Sequence, residues 1–561
     1  MKVKSIKDNI HGYIELDEKY WKVIDTPEFQ RLKWIEQTSY RVLYPSARHD
    51  RFVHSIGTFH LGKMALSGFK KNACSILDCE KFIDNNSCSF LLACLLHDIG
   101  HSPLSHTCED LYNYNNKISD INSKINKKLI QLLNESEDLT KEEKIGFEID
   151  YKYILNCKDK ICKPPSEHEV MSSIITIKNF NRFSEYFSKE DKEYLKLDLI
   201  IRAILGCVYG VNASEESERK LEKGIKNCLI RLLNSTAVDV DKLDYITRDT
   251  MMTGYENLTI DTKRLLGSLS IVKKGEIYFP AFKKSAISVI SNVVTAKNAQ
   301  ARWIINHPSV QYESFLVRQS IGIAIKNFHE KYQLSKEYPD IDSLIEQLFS
   351  EKSISREGIE LGGMKLNFLS DIEIMFLLKQ SINDPIVSEL YERNKRRKPI
   401  WKSFDEFKYY LPEEEMQVLF ADCFAPLITA VKRIENLSRP KQIDSNFYSL
   451  IKNKPEDYAN SEDLIRILDL LDEFRTSESI SFDFVIIPIK NTFSTSINDN
   501  TYIQFEDNIE SCVSYKNSVQ DKVMEQNPYE FFYLYSKDRI DAKKFISYIL
   551  QKLKGSQTVR C

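Results

Sequence analysis

The sequence predicts a mainly α protein whose C-terminal part carries a small β element. Only 17 glycines and 16 prolines occur among the 561 residues, and these two residue types destabilise helix interiors most. Apolar residues recur three and four positions apart along most of the chain, which is the spacing of one buried helix face. Regular alternation of apolar and polar residues, the pattern of a half-buried strand, is short and local.

Three regions are predicted in order along the chain. Residues 1–275 form a helical core, interrupted at 112–165 by charged, helix-prone sequence. Residues 276–410 begin with a short strand at Ile277–Phe279 and continue with long helical patterns, the last of which ends near the basic cluster Arg393–Lys398. Residues 411–561 form an α+β region.

The small β element is predicted within this last region. Apolar residues alternate from Ile480 to Ile486, and Pro488 follows them. Because proline cannot donate to a β ladder, Pro488 indicates either an edge strand or a strand end. Thr501–Phe505 is predicted as a second strand, and Ala542–Leu553 as the final helix.

Composition narrows the possible functions. With 42% hydrophobic residues and this length, the chain can bury a sizeable core. The 78 basic and 81 acidic residues give a net charge of −3, which argues against nucleic acid as a partner and confines phosphate binding to local patches. No apolar segment has membrane-spanning length, and the 12 cysteines form no Cys-x-x-Cys repeat. We therefore expect a cytoplasmic protein with reduced cysteines and no membrane partner.

Two strong metal ligands, His97 and Asp98, stand side by side after the apolar segment Leu91–Leu96. His54 and Asp241 show a similar mismatch with their apolar neighbours. Two imidazoles and two carboxylates suit an octahedral divalent ion such as Mn, Fe or Ni, with Zn as an alternative. Coordination positions left open for water would make such a site catalytic rather than structural.

Helical spacing supports a site around Asp241. Tyr245, Arg248 and Asp249 follow it at i+4, i+7 and i+8 and therefore share its helix face. The alternative is a solvated face on which Asp244 and Arg248 form an ordinary i,i+4 ion pair. In the other segment, His97 and His101 are predicted on one face of a helix that ends near Pro103.

Seven segments carry a resemblance that goes beyond the four ligands: Ile14–Leu16, Ile24–Leu32, Tyr44–Pro45, Arg51–Gly57, His97–His106, His168–Glu169 and Asp239–Asp249. In this order they resemble the deoxynucleoside triphosphate (dNTP) triphosphohydrolases of the HD superfamily over roughly the first half of the chain. The resemblance implies an HD-domain helical core and hydrolysis of dNTPs to deoxynucleoside and inorganic tripolyphosphate. Sequence 112–165 is much shorter in this family, so it is predicted to be an insertion, either a lid, a partner surface or a passive helical decoration.

The resemblance also implies roles for single residues. His54, His97, Asp98 and Asp241 would hold the metal, and Mg would accompany the triphosphate. Arg51 and Lys242 would neutralise the triphosphate. Among the active-site histidines His101, His106 and His168, either His101 or His168 would protonate the leaving 5′-oxygen, and Glu109 would orient His106. Taken alone, each histidine would more often be a satisfied core or surface residue, and its placement inside the motif favours the functional role. Gln37, Tyr245 and Asp249 would hold the deoxyribose 3′-hydroxyl and exclude a 2′-hydroxyl.

Two sites depart from the family pattern. Ile305, ahead of His307, stands where the family stacks a tyrosine on the base, with Trp303 as the nearby aromatic alternative. The effector site keeps Asp25 and Gln30 but has Lys33 where the family reads guanine with arginine. Ser270 and Phe282 replace basic positions there, whereas Lys284 and Lys402 remain as candidates. We expect a homo-oligomer, a tetramer or a dimer, regulated by a nucleotide other than GTP.

Two other functions stay open on the sequence alone. An HD phosphohydrolase could act on a phosphodiester, a nucleoside monophosphate or an alarmone. A nucleotide-binding regulator with a silent site is the non-enzymatic alternative, although the intact ligand and histidine set argues against it. Depletion of dNTPs in bacterial antiviral defence would be compatible with the insertion and the altered effector site.

Overall fold

The structure is a computed structural model in which helices dominate, as predicted. It describes residues 2–72, 78–157, 163–211, 214–235, 238–255, 259–433, 442–454, 456, 458, 460–489, 502–505, 509–511 and 529–557. No helix in these ranges is both long and apolar enough to cross a membrane.

The α-helices are, in chain order, α1 (Glu18–Ile24), α2 (Pro27–Gln30), α3 (Arg51–Asn72), α4 (Cys79–Leu96), α5 (Lys124–Glu135), α6 (Lys141–Asn156), α7 (Glu167–Ser184), α8 (Lys189–Glu193), α9 (Leu197–Leu205), α10 (Ser217–Leu233), α11 (Val240–Met252), α12 (Thr262–Gly267), α13 (Ile287–Gln300), α14 (Pro308–Lys331), α15 (Ile341–Leu348), α16 (Asp371–Gln380), α17 (Pro385–Tyr391), α18 (Phe404–Tyr410), α19 (Glu414–Arg433), α20 (Ser445–Asn453), α21 (Ser461–Glu478) and α22 (Ala542–Gln557). Short 3₁₀ helices include Arg31–Trp34, Ser105–Thr107 and Glu109–Asn113, and a π-helical turn spans Ala301–Ile305.

The strands are β1 (Val3–Asp8), β2 (Gly12–Asp17), β3 (Leu269–Lys274), β4 (Ile277–Lys283), β5 (Ile359–Leu361), β6 (Met364–Leu366), β7 (Lys398–Pro399), β8 (Gln442–Asp444), β9 (Asp483–Pro488), β10 (Tyr502–Gln504), β11 (Ile509–Ser511) and β12 (Phe532–Ser536). They form the hairpins β1–β2 and β5–β6 and two four-stranded sheets, ordered β11-β10-β4-β3 and β7-β12-β9-β8. In the first of these sheets β10 runs parallel to β4.

The chain forms two compact units. Unit 1 comprises residues 1–300, 332–374 and 494–523, and unit 2 comprises 301–331, 375–493 and 524–561, each as far as it is described. The chain therefore passes between the units several times. The division into three consecutive regions stays a prediction.

Unit 1 is built around α3 and α9. Helix α3 packs against α4, α11 and α12, and α9 packs against α4, α7 and α10. Every side chain from Leu197 to Leu205 is buried, so α9 is a fully interior helix. In the predicted insertion, α5 packs on α7 through Ile125, Leu129 and Leu133. The insertion therefore contributes to the core of this unit.

Unit 2 has its own core, centred on Trp401. This indole is fully buried and its Nε1–H donates to the carbonyl of Phe532 at 3.0 Å. Phe407, Phe420 and Phe532 pack around it. The basic cluster is partly structural here, because Arg397 is buried in ion pairs with Glu389 and Asp483.

Several predictions of single elements can be compared with these bounds. The strand at Ile277–Phe279 and the final helix are confirmed, as is a strand end at Pro488. The edge-strand alternative for this segment is wrong, because β9 lies between β8 and the unpredicted β12. Tyr502–Gln504 forms β10, and Thr501 lies outside the described residues.

Candidate metal centre

Three helices bring the four predicted ligands together. Helix α3 begins at Arg51 and places His54 on its buried side, while α4 ends at Leu96, immediately before His97 and Asp98. Helix α11 begins at Val240, so Asp241 lies in its first turn. The carboxylate of Asp239 caps this helix by accepting the backbone N–H of Lys242 at 2.8 Å. Since α3 packs against both α4 and α11, the three segments converge.

His54, His97 and Asp98 have ligand atoms within 4.8 Å of one another, and Asp241 lies beside both imidazoles. The Nε2 atoms of His54 and His97 lie 3.3 Å apart. Asp241 Oδ1 lies 3.0 and 3.6 Å from these two atoms, respectively. Asp98 has oxygens 3.7 Å from His54 Nε2 and 3.6 Å from His97 Nε2. Ligands bound at about 2.0–2.2 Å to one ion hold neighbouring donor atoms about 3.0–3.6 Å apart, so the separations fit a shared metal ion.

Hydrogen bonds at Nδ1 aim both imidazoles at this point. His97 Nδ1–H donates to the Cys94 carbonyl at 2.9 Å, and His54 Nδ1–H donates to Asp244 at 2.7 Å. Both Nε2 atoms are thereby left as metal-binding lone pairs, an arrangement common in metal sites. The donor set of two imidazoles and two carboxylates fits a divalent metal ion.

The charges of the ligands depend on one another. Burial alone would raise the pKa of Asp98, but Arg51 and the neighbouring histidines hold it well below its usual value. Burial alone would lower the pKa of His54, but hydrogen bonds with Asp241 and Asp244 raise it to about 9. A cation is therefore favoured at this point, either a proton on His54 or a metal ion that replaces the proton.

Asp244 and Arg248 form the predicted i,i+4 pair, with Nε and Oδ2 2.8 Å apart. The prediction that this pair lies on a solvated face is wrong, since both side chains are buried. Asp244 also accepts from His11 Nε2 at 2.6 Å, and Arg248 pairs with Asp8 at 2.9 Å. Through these contacts with Asp244 and Arg248, the β1–β2 hairpin helps to fix the orientation of the His54 ring.

A second cluster adjoins the four ligands. His101, His106, Glu109 and His168 have donor atoms within 4.8 Å of one another. Glu109 Oε2 accepts from Nδ1 of both His106, at 3.0 Å, and His168, at 2.7 Å. The rings of His101 and His168 stack with centroids 4.4 Å apart. His168 Nε2 lies 4.0 Å from Asp98 Oδ1, which connects the two groups.

His101 is fully buried, and neither ring nitrogen has a hydrogen-bond partner among the described residues. Burial and the nearby charges of Arg51 and His168 keep its pKa well below the ordinary value, so the ring is neutral. The prediction that His101 shares a helix with His97 is wrong, because α4 ends at Leu96 and a turn follows. Gly100 permits this turn, since a Cβ there would lie 2.3 Å from the Ser172 nitrogen of α7.

Arg51 and Lys242, which are predicted to bind the triphosphate, lie beside the metal centre and already form hydrogen bonds with other protein groups. Arg51 is buried and donates to Asp98 at 2.8 Å and to Ser105 Oγ at 3.1 Å. Lys242 Nζ contacts Asp239 at 2.5 Å and the Ser235 carbonyl at 2.6 Å. A phosphate would compete with these carboxylates for the two cations.

The predicted sugar-binding residues form a largely buried polar group. Asp249 accepts from His49 Nε2 and from Gln300 Nε2, both at 2.6 Å. Gln37 is buried, and its Oε1 has no partner within the described residues. Tyr245 lies on the same helix as Asp249, and burial raises the pKa of its phenol.

Sequence reasoning missed several residues that hold the functional side chains in place: His11, His49, Asp239 and Gln300. Of these, only Asp239 carried a local signal, as an aspartate immediately before a helix. The other three lie far from their partners in sequence, up to 233 positions for His11 and Asp244.

The predicted effector residues fall in both units of the chain. Asp25 is half exposed and lies 3.5 Å from Lys4, whereas Lys33 Nζ donates to Gln30 Oε1 at 2.7 Å. Lys284 lies next to β4 in unit 1, and Lys402 belongs to unit 2. Trp303, the candidate base-stacking aromatic, is 43% exposed within the π-helical turn of unit 2.

Comparison with known proteins gives similarity to HD-domain dNTPases over part of the chain. The human deoxynucleoside triphosphate triphosphohydrolase SAMHD1 is 38% identical over 106 residues, 18% of this chain and 16% of that protein. The uncharacterized protein YwfO of Bacillus subtilis is 36% identical over 112 residues, 19% of this chain and 24% of YwfO. The uncharacterized protein MJ1154 of Methanocaldococcus jannaschii is 26% identical over 344 residues, 61% of this chain and 54% of MJ1154. The chain thus spans about half of MJ1154 and a quarter or less of the other two.

No family model matches the chain. A crystal structure of a hypothetical protein from Aquifex aeolicus is similar over 98% of this chain and 100% of that chain, with a TM-score of 0.50 and 15% identity. This likeness concerns the fold alone. The local sequence similarity and the candidate metal-binding group together suggest a phosphohydrolase of HD type that uses a divalent metal ion.

Proposed function

We propose that this chain hydrolyses dNTPs in a metal-dependent reaction to deoxynucleoside and inorganic tripolyphosphate. One observation carries the proposal: a metal-binding group of His54, His97 and Asp98, with Asp241 beside both imidazoles, adjoins a partly buried histidine cluster, and Asp98 and His168 lie 4.0 Å apart. His54, His97, Asp98 and Asp241 would hold the ion. When bound, this ion would supply Lewis acidity at the attacked phosphoryl group.

The histidine cluster supplies the proton that the leaving group needs. Water attacks the α-phosphorus, the bond to the 5′-oxygen breaks, and that oxygen must take up a proton. Burial lowers the pKa of His168, but its hydrogen bond to Glu109 outweighs burial and raises it. We therefore assign His168 as the proton donor, whereas neutral His101 would accept or donate a hydrogen bond near the reacting atoms.

Arg51, Lys242, Gln37, Tyr245 and Asp249 would bind the substrate. Incoming phosphate oxygens would take over part of the coordination that Asp98 and Asp239 give to the two cations. Gln37 Oε1 offers a buried acceptor for a sugar hydroxyl, and His49 with Gln300 would hold Asp249 in place for the same hydroxyl. A ribonucleotide would add a 2′-hydroxyl to this closed polar group, which favours dNTPs.

Regulation and biological role extend the proposal. The resemblance of Asp25 and Gln30 to a family effector site, beside the changed Lys33, supports activation by a nucleotide other than GTP in a homo-oligomer, a dimer or a tetramer. Depletion of dNTPs in bacterial antiviral defence is the role we propose for such an enzyme.

The test is incubation of the purified protein with Mn or Mg and each dNTP, singly and mixed, in ¹⁸O-water. Attack at the α-phosphorus places the label in tripolyphosphate and releases unlabelled deoxynucleoside. Release of dNMP with pyrophosphate, or of dNDP with phosphate, would instead support an HD phosphohydrolase of another specificity. A His97→Ala, Asp98→Ala double variant serves as the control and should lose both bound metal and hydrolysis while keeping its helical content. Turnover by the metal-free double variant would contradict the proposal.

A further inference from the structure

Two buried charged residues outside the proposed active site hold the segment that carries His101. Arg31 is 3% exposed, and its guanidinium donates to the Leu369 carbonyl at 2.5 Å and to the His101 carbonyl at 2.7 Å. Among the described residues, no carboxylate lies within ion-pair distance of Arg31. Burial lowers the pKa of Arg31 although nearby Tyr112 and Asp371 act in the opposite direction, so burying this guanidinium without an ion pair is unfavourable for stability. This cost indicates a role other than global stabilisation.

Asp371 holds the same segment at Leu104, three residues after His101. One carboxylate oxygen accepts the backbone N–H of Leu104 at 2.6 Å, and the other accepts that of Glu36 at 2.9 Å. Asp371 lies at the start of α16 and is 9% exposed. Arg31 and Asp371 therefore fasten residues 101 and 104 to the chain around residue 370, which is remote in sequence.

The 101–105 segment has a backbone that needs such support. Leu104 and Ser105 have φ angles of 57° and 51°, in the left-handed region that L residues avoid. Ser105 Oγ donates to the Glu36 carbonyl at 2.5 Å and accepts from Arg51 Nε at 3.1 Å. A contact chain thus leads from Asp371 through Leu104 and Ser105 to Arg51, which pairs with Asp98.

We infer that Arg31 and Asp371 are positioning residues that hold the 101–105 segment, and with it His101 and Arg51, in the geometry that hydrolysis requires. The inference rests on the proposed function for its catalytic consequence. Neither residue touches the proposed metal ligands, so removing either should leave metal binding intact. Small displacements of catalytic groups lower turnover much more than substrate binding.

The test uses the full chain with Asp371→Asn, which keeps the side-chain size but leaves one backbone N–H without an acceptor. Arg31→Lys, which keeps the charge but loses the fork that bridges two carbonyls, is the second variant in case the first fails to fold. Asp340→Asn is the matched control, because Asp340 accepts the backbone N–H of Ser343 at 2.7 Å in an exposed helix cap.

We expect kcat to fall about tenfold or more with KM for the dNTP and metal content nearly unchanged. Hydrogen–deuterium exchange at the Leu104 and Glu36 amides should rise in Asp371→Asn and stay at the wild-type rate in Asp340→Asn. Asp371→Glu, which restores a carboxylate, should recover part of the turnover.

Turnover of Asp371→Asn and Arg31→Lys within about twofold of wild type would overturn the inference. Unchanged exchange at the two amides would overturn it as well, because the hydrogen bonds would then not hold the segment. If the wild type hydrolyses no dNTP, the proposed function fails, while the exchange measurement still decides whether these residues fix the 101–105 segment.

Discussion

Asp244 accepts the Nδ1–H of His54 at 2.7 Å, on the side of the ring opposite the proposed metal. His54 Nε2 consequently lies 3.0 Å from Asp241 Oδ1, at the point where the ligands meet. Arg248 holds Asp244 with two hydrogen bonds of 2.8 and 2.9 Å, and His11 adds a third contact of 2.6 Å. A fully buried carboxylate thereby fixes both the tautomer and the direction of a metal-binding imidazole.

Replacing Asp244 with Asn should weaken metal binding by about 10- to 100-fold, because the amide is a poorer acceptor and orients His54 less firmly. The control is Asp198→Asn. Asp198 forms the same kind of buried i,i+4 pair, with Arg202 at 2.9 Å, but contacts no proposed ligand. Metal content after dialysis at graded free metal should fall only in Asp244→Asn, although thermal denaturation should show that both variants lose stability. An equal loss of metal in both variants would refute the orienting role.

Gly57 gives Asp244 and Arg248 the space they occupy. A Cβ at position 57 would lie 2.0 Å from Asp244 Oδ1 and 2.5 Å from Arg248 Nη2. Gly57→Ala should therefore displace the pair, lower stability by about 1–3 kcal/mol and reduce metal affinity. Gly146→Ala is the matched control in another helix, where a Cβ would meet its nearest atom at 3.9 Å, and it should be neutral or stabilising by up to about 1 kcal/mol. Urea denaturation and metal titration of both variants measure these effects, and wild-type behaviour of Gly57→Ala would contradict the expectation.

The sequence allowed the helical class and the ligand candidates to be predicted for one reason: both are local signals. Periodicity reports a buried helix face, and His97 with Asp98 after an apolar segment is unusual for packing. The partners that orient those ligands are not local. Leu104 and Asp371 are 267 positions apart, and Asp244 had the spacing of an ordinary surface pair. The helix through His97 and His101 was wrongly predicted because the close approach of α7 to Gly100 is a tertiary effect.

The effect of Asp371→Asn on the free energy of unfolding should depend on pH. Burial raises the pKa of Asp371 to about 6 from 3.8, despite two backbone hydrogen bonds that lower it. Since the folded-state pKa lies above the unfolded one, the folded protein binds this proton more tightly, and stability from this group falls as pH rises from about 4 to 6. The rise in the pKa of Asp371 from 3.8 to about 6 corresponds to a loss of about 3 kcal/mol in the free energy of unfolding at neutral pH. Asp371→Asn, which does not titrate, should thus gain stability relative to wild type between about pH 5 and pH 7.5. Guanidinium denaturation at both pH values checks this, and a pH-independent difference would contradict it.

Substitution of Asp25 can show whether a nucleotide regulates the enzyme. Its carboxylate is half exposed and pairs only weakly with Lys4 at 3.5 Å, so breaking this contact should change stability by less than about 1 kcal/mol. We expect activity on one dNTP to rise when a second dNTP is present, because a nucleotide that binds better to the assembled, competent state shifts the protein toward that state. Asp25→Ala should lose this activation and keep metal content and basal turnover. Lys4→Ala, which breaks the same ion pair but leaves the carboxylate, should keep the activation. Mixed-substrate kinetics and sedimentation measure the activation and the oligomeric state. The prediction is contradicted if the protein is a monomer with hyperbolic kinetics and if neither a second nucleotide nor Asp25→Ala changes its activity. The predicted effector residues would then form no effector site.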